Sequence, residues 1–212
     1  MLEARTSGDD TDADCAELAL AYVRALVPRN TNPLAALLGD CTVPTVDHQY
    51  PEPGINWLNA ELGFYYHSHG HGRSKTGEHG HFHLFARASA RGRPATEAFT
   101  HLLAVAVDGK GMPVRCFTTN LWVTGGLWRS ARFVLARLED FGRLAGCSSV
   151  GSGRWLGMML VLHAPLVRRV INQREARTRS WRHQGALPRR LADRRVEIMS
   201  ETSMTANEGK ES

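Results

Sequence analysis

Residues 101–118, with the sequence HLLAVAVDGKGMPVRCFT, decide the fold class of this chain. Two short apolar runs, His101–Val107 and Met112–Thr118, flank the turn Asp108-Gly109-Lys110-Gly111. Such runs on either side of Asp-Gly are a strong local signal for a β-hairpin. Just before them, Glu78–Ala88 alternates in the manner typical of a strand. We therefore predict at least three neighbouring strands, paired antiparallel.

Helical patterns lie on both sides of this β region. Within Ala13–Val27, apolar residues recur at helical spacing, and Pro33–Leu38 is a shorter candidate helix with Asn32 as its cap. Three further helices are predicted after the hairpin: Ser130–Phe141, Trp155–Arg177 with a bend near Pro165, and Leu187–Met199. The order helix, strands, helices predicts an α+β fold, in which a small antiparallel sheet packs with N- and C-terminal helices.

The domain boundaries follow from composition. The chain has 212 residues and is 42% hydrophobic, which suffices for one buried core. Residues 1–12 and 200–212 are polar and lack an apolar period, so we predict disordered tails there. Residues 13–199 are then predicted to form a single α+β domain.

The expected location is the cytoplasm. The first fifteen residues carry five acids against one arginine, unlike the basic and apolar start of a signal peptide. The most apolar run, Trp155–Val167, has 13 residues, whereas a membrane span needs about 20. Four cysteines without a Cys-x-x-Cys pair do not form a disulfide scaffold. We expect reduced thiols and no membrane partner.

The basic charge is concentrated near the C-terminus. Between Arg154 and Arg195 there are eleven arginines and two acids. Such a stretch can bind nucleic acid or another anionic surface, and it also describes the solvated faces of amphipathic helices. The arginines that would contact phosphates are Arg168, Arg169, Arg174, Arg177, Arg179 and Arg182. A basic anion-binding or nucleic-acid-binding protein is therefore one alternative function.

Histidines form the most unusual feature, because six of the ten fall within residues 67–83. Residues i and i+2 of a strand share a face, so His79, His81 and His83 are predicted to point the same way. Neighbouring positions on that face lie about 6.5 Å apart, which lets two imidazoles meet at one metal ion. A further ligand must come from another segment. The candidate ligands are His67, His69, His79, His81 and His83, and His101 on the next strand is a further source.

A site built from imidazoles favours zinc, iron or copper over magnesium and calcium. The predicted function is a metal-dependent hydrolase or oxidase that acts on an unknown small molecule. Glu78 would be a base or ligand only if the strand is irregular there, since on a regular strand it faces away from the histidines. Arg87 shares their face by parity and could bind an anionic substrate. Asn120 follows the hairpin and is the third catalytic candidate.

Short patterns spread over most of residues 15–200 carry a resemblance to known sequences. They are Glu78-His79-Gly80-His81-Phe82-His83-Leu84-Phe85, Tyr65-Tyr66-His67, Ala104–Phe117, Thr119-Asn120 with Trp122-Val123-Thr124, and Asp193-Arg194-Arg195 with Glu197. Together they resemble a family of uncharacterised bacterial proteins that carries a domain of unknown function. The resemblance implies one continuous domain and brings no activity, cofactor or catalytic residue.

Two local likenesses concern the histidine strand. His81-Phe82-His83 is similar to the His-x-His strand of α-class carbonic anhydrases, which take a third histidine from a neighbouring strand. Residues 79–85 also resemble the motif of histidine-triad nucleotide hydrolases and transferases. That second likeness implies metal-free phosphate chemistry with His81 as the nucleophile, and it provides another alternative function.

Overall fold

The computed structural model describes residues 7–38, 44–51, 53–69, 77–88, 98–147 and 151–205. Within these ranges the chain forms a six-stranded sheet in which each strand is antiparallel to the next. The strands are β1 (Asn56–Trp57), β2 (Leu62–His67), β3 (Gly80–Arg87), β4 (Phe99–Val107), β5 (Pro113–Thr119) and β6 (Ile198–Ser203). Their spatial order is their chain order, although residues 120–197 separate β5 from β6.

Helices precede and follow the first five strands, so the predicted α+β class is confirmed. They are α1 (Ser7–Leu26), α2 (Pro33–Leu38), α3 (Leu121–Thr124), α4 (Ala131–Cys147), α5 (Gly151–Leu162), α6 (Ala164–His183) and α7 (Leu187–Leu191). Asn32 caps α2 as predicted, since its Oδ1 accepts the backbone N–H groups of Leu34 and Ala35 at 3.0 and 2.9 Å. The predicted bend near Pro165 is the break between α5 and α6.

The first helix and the last elements of the described chain differ from their predicted bounds. Helix α1 begins at Ser7, inside the expected N-terminal tail. The predicted helix Leu187–Met199 ends at Leu191, and strand β6 runs to Ser203, inside the expected C-terminal tail. By pairing with β5, strand β6 bonds the backbone groups that β5 would otherwise expose at the edge of the sheet.

One face of the sheet packs against helices and forms the main core. Phe64, Tyr66, Phe82 and Leu84 point to this side and are buried. They pack with buried residues of α4, α5 and α6: Val134, Leu138, Phe141, Leu156, Leu160, Val167, Val170 and Ile171. The opposite face of β3 is therefore left for His81 and His83, because alternate residues of a strand point to opposite sides.

Strands β2 and β3 approach each other closely at Gly80. A Cβ atom added there would overlap the His67 carbonyl oxygen and the Tyr66 hydroxyl, so only glycine fits without a shift. This approach pairs His67 with His81 and Tyr65 with His83. The sequence patterns did not predict β2, although it carries the neighbouring histidine.

The helices of the described ranges do not include one that is long and apolar enough to cross a membrane.

Candidate metal centre

Three histidines from two strands converge on the sheet face opposite the main core. His67 lies on β2, directly across from His81 on β3, and His83 follows two positions further along β3. His81 and His83 are 8% and 3% exposed. The His-x-His spacing and the strand register thus bring together one local pair and one histidine from the preceding strand.

The ring nitrogens of His67, His81 and His83 have the spacing of a metal site. One potential ligand atom from each lies within 4.8 Å of the other two. His67 Nε2 and His83 Nε2 are 3.0 Å apart. Two nitrogens bound tetrahedrally to one ion at 2.0–2.1 Å would be separated by about 3.3 Å. The group could therefore hold a metal ion with only small side-chain adjustments.

Burial keeps these imidazoles uncharged. It is the main cause that lowers the pKa of His67 and of His81 to about 4 each. Burial also lowers the pKa of His83 well below its ordinary value, and the neighbouring histidines act in the same direction. Neutral imidazole is the form that binds a metal, so the three side chains are ready to coordinate at neutral pH.

Glu78 contacts His81 because β3 begins only at Gly80, so the chain is not a regular strand at Glu78, which is the condition under which a role for this residue was expected. Its Oε2 lies 3.0 Å from His81 Nε2, and Arg115 donates from Nε to its Oε1 at 2.6 Å. Burial disfavours the charged form of Glu78, but the hydrogen bonds from Arg115 and His81 outweigh it and lower the pKa overall. Glu78 is thus a carboxylate that orients the His81 ring.

A second hydrogen-bonded contact orients His83. Its Nδ1 lies 3.1 Å from His101 Nε2, and His101 Nδ1 lies 3.1 Å from the Thr119 hydroxyl. Burial is the main cause that lowers the pKa of His101 to about 3. If both Nε2 lone pairs of His67 and His83 face an ion, His83 Nδ1–H donates to His101, and His101 Nδ1–H donates to Thr119.

His79 lies apart from this group, contrary to the expectation from parity. Its Nδ1 is 2.5 Å from the hydroxyl of Tyr66, whose ring belongs to the main core. The residue precedes the regular part of β3, so the alternation that was counted from His81 does not extend to it.

His69 belongs to a second and more exposed group. Its Nδ1 lies 2.9 Å from Asp47 Oδ1, and its ring centroid is 4.4 Å from that of His67. Asp47, His67 and His69 also satisfy the spacing of a metal site. His67 belongs to both groups, so one nitrogen of its ring cannot bind a metal ion in each group at the same time.

The other two candidate catalytic residues have contacts of a structural kind. The Arg87 guanidinium lies 3.8 Å from the ring centroid of Trp57. Asn120 is fully buried, and its amide donates to the carbonyl oxygens of Arg190 and Val196 at 2.9 and 3.0 Å. None of these contacts places Arg87 or Asn120 beside the three-histidine group.

Several arginines of the basic segment also have protein partners. Arg177 donates to the carbonyl oxygens of Ile198 and Met199. Arg182 pairs with Glu175 at 2.9 Å. Arg174 is 3% exposed, so it is not on a surface that nucleic acid could reach. Part of the positive charge therefore serves packing between α6 and its neighbours.

Sequence reasoning missed Arg115, and counting residues outward from the hairpin turn would not have found it. Ala106 lies opposite both His81 on β3 and Arg115 on β5. The three positions therefore form one row across the sheet. The bulge at Ala106/Val107 shifts the register by one residue, so a count without it would misplace Arg115.

Comparison of the sequence with known proteins places the chain in one protein family. No curated protein and no solved structure matches the chain. Residues 13–204 match the family described as Domain of unknown function (DUF6969). This match covers nearly the whole chain and includes every strand and all of the histidines discussed above. The chain therefore belongs to this family of domains of unknown function.

Proposed function

We propose that this protein binds one transition-metal ion through His67, His81 and His83 and uses it to hydrolyse or oxidise a small molecule. The observation that supports the proposal is the convergence of these three neutral imidazoles, which each place one potential ligand nitrogen within 4.8 Å of the other two. Three histidine ligands are a common protein set at catalytic zinc, where a fourth position stays open for water or substrate.

The surroundings of the ligands support a metal role. Metal-bound histidines commonly donate the second ring N–H to a carboxylate or another acceptor, which fixes the ring and raises its basicity. Glu78 occupies that position beside His81, and His101 does so beside His83. With its Nε2–H directed to Glu78, His81 would coordinate through Nδ1. Glu78 is then a positioning residue, since Arg115 holds its carboxylate.

The ligand set favours zinc, iron or copper. Because all three ligands are neutral, a bound ion would keep its full positive charge, and the chemistry that it would supply is a lowered pKa of a coordinated water. We assign no catalytic role to Arg87 or Asn120, since Arg87 stacks on Trp57 and Asn120 bonds backbone carbonyls.

Metal analysis of untagged protein tests the proposal. Elemental analysis after purification without added chelator should give about one ion per chain. The double variant His81→Ala, His83→Ala should bind none. His67→Gln should lose most of the metal as well, and this ring is partly exposed, so its replacement should leave the fold intact. His183→Gln is the matched control, because His183 is exposed at the end of α6.

Cobalt(II) substitution provides a second readout. A tetrahedral site with histidine ligands should give visible ligand-field bands in the wild type and in His183→Gln. The bands should be absent from His67→Gln, with circular dichroism confirming that the variant is folded. A folded wild type without stoichiometric metal, or equal metal in His67→Gln, contradicts the proposal.

A metal-free reaction is the second candidate, and the contact between Glu78 and His81 favours it. A carboxylate-oriented imidazole could attack a phosphate and form a phosphohistidine as the bond from phosphorus to the leaving group breaks, and water would then cleave the N–P bond to release the phosphorylated product and the free imidazole. This candidate predicts hydrolysis of dinucleotides or nucleoside phosphoramidates that persists after chelation. Activity that disappears on chelation and returns with zinc, iron or copper supports the metal-dependent reaction.

We further propose a cytoplasmic location and a small-molecule substrate in preference to nucleic acid. The partners of Arg177 and Arg182 within the protein support this preference. Retention on heparin that weakens steeply with salt would contradict it, because phosphate contacts release counterions. Cell fractionation tests the location.

A further inference from the structure

A small cavity lies on the other side of His101, away from the three-histidine group. It has a volume of about 10 Å³ and is lined by residues that include His101, Thr119, Thr124, Trp128 and Arg174. That space suits one atom-sized hydrogen-bond acceptor and is too small for a phosphate or sulfate group. The cavity is separate from the candidate metal centre, because His67, His81 and His83 are not among its lining residues.

Two buried donors in the lining have no acceptor in the described part of the chain. They are Nη1 of Arg174 and Nε1 of Trp128. Arg174 is 3% exposed, its guanidinium lies 3.8 Å from the ring centroid of Trp128, and its Nη2 donates to the Arg129 carbonyl at 2.9 Å. Buried donors without acceptors are unfavourable and rare, so each points to a ligand.

The charge of Arg174 is also poorly compensated. Its sequence neighbour Glu175 directs its carboxylate to Arg182 Nη1 at 2.9 Å and to the Ala131 backbone N–H at 3.1 Å. Burial lowers the pKa of Arg174 to about 10, with Glu175 opposing and Arg182 adding to the change. Arg174 is still a cation at neutral pH. A water molecule would accept its hydrogen bonds but would not neutralise this charge.

We propose that this cavity is a chloride-binding site, in which the ion accepts hydrogen bonds from Arg174 Nη1 and Trp128 Nε1. Thr124 also lines the cavity, and its hydroxyl lies 3.4 Å from that of Thr119. A monatomic anion fits the size of the cavity, accepts hydrogen bonds from the two donors and compensates the buried positive charge of Arg174. The inference does not depend on the proposed metal.

Thermal unfolding in different salts tests the site. The melting temperature of the wild type should rise with sodium chloride and saturate, and it should not do so with sodium gluconate at the same ionic strength. Trp128→Phe keeps an aromatic ring over Arg174 and removes the N–H. Its chloride midpoint should move to a concentration about tenfold higher or more. Equal responses of wild type and Trp128→Phe would overturn the proposal.

Trp122→Phe is the matched control. Trp122 Nε1 already donates to the Val196 carbonyl at 2.9 Å, so this variant loses an N–H that has a protein acceptor. It should melt lower than the wild type and keep the same chloride midpoint. A shift of the midpoint in Trp122→Phe equal to that in Trp128→Phe would show a non-specific effect and overturn the proposal.

Crystals grown with bromide locate the ion directly. The anomalous signal should give a peak within hydrogen-bonding distance of Arg174 Nη1 and Trp128 Nε1. The absence of a peak there, with a water or nothing in its place, overturns the proposal. Metal content measured on the same Trp128→Phe protein should equal that of the wild type, which separates this test from that of the metal centre.

Discussion

Replacing Gly80 by alanine should weaken both the fold and the metal centre. A Cβ at this position would overlap the His67 carbonyl oxygen and the Tyr66 hydroxyl. The carbonyl belongs to the backbone of β2 and cannot rotate away, so the two strands must separate locally. His67 would move with its backbone, although the mutation leaves every proposed ligand in place.

The expected loss of stability follows from two costs. Forcing an extra methyl group into a packed site costs about 1–3 kcal/mol. Displacing the Tyr66 hydroxyl also disturbs its hydrogen bond with His79 Nδ1, which adds about 1 kcal/mol. The free energy of unfolding should therefore fall by about 2–4 kcal/mol. For a protein of this size, the melting temperature should fall by about 4–16 °C.

Urea and thermal unfolding measure the effect, with Gly109→Ala as the control. A Cβ at Gly109 would meet only the His79 ring, at the ordinary contact distance of 3.9 Å. This control should stay within about 0.5 kcal/mol of the wild type. Zinc titration should show weaker binding by Gly80→Ala than by Gly109→Ala. The reasoning is refuted if both variants unfold and bind zinc like the wild type.

Three further predictions concern other parts of the fold. Burial raises the pKa of Glu175, but hydrogen bonds from Arg182 and from the Ala131 backbone N–H outweigh it and lower the pKa below 4.5. The ionised Glu175 therefore stabilises the folded protein above pH 4.5, and this contribution is lost as the pH falls below that value. Urea unfolding from pH 6 to 3 should therefore show a smaller acid loss in Glu175→Gln, whereas parallel curves would contradict the assignment. Burial raises the pKa of Cys116 to about 12, so this thiol should not react in native protein at pH 8. Cys116→Ala should therefore leave the number of reactive thiols unchanged in native protein and lower that number by one in urea. Asn120→Ala should lower the free energy of unfolding by about 2–4 kcal/mol, because the carbonyl oxygens of Arg190 and Val196 lose a buried donor; a loss below 0.5 kcal/mol would show that these bonds are weak.

Much of the fold could be predicted because its signals are local. The Asp-Gly turn and the apolar runs on either side of it predicted β4 and β5 within two residues. Asn32 before Pro33 predicted the start of α2, since a cap and its helix are adjacent in sequence. Strand β6 could not be found in this way. It follows a basic helical pattern, and only its pairing with β5 makes the extended form favourable.

The sequence by itself determined that His81 and His83 share a face, because the period of a strand is two residues. It also identified the histidine-rich segment as the place to look for a metal. Only the tertiary structure chose His67 over His79 as the third member of the group, through the register of β2 against β3 and the late start of β3 at Gly80. The same holds for Arg115, which lies 37 residues from Glu78 in the chain. Contacts of that kind depend on strand order and bulges, and no local pattern carries that information.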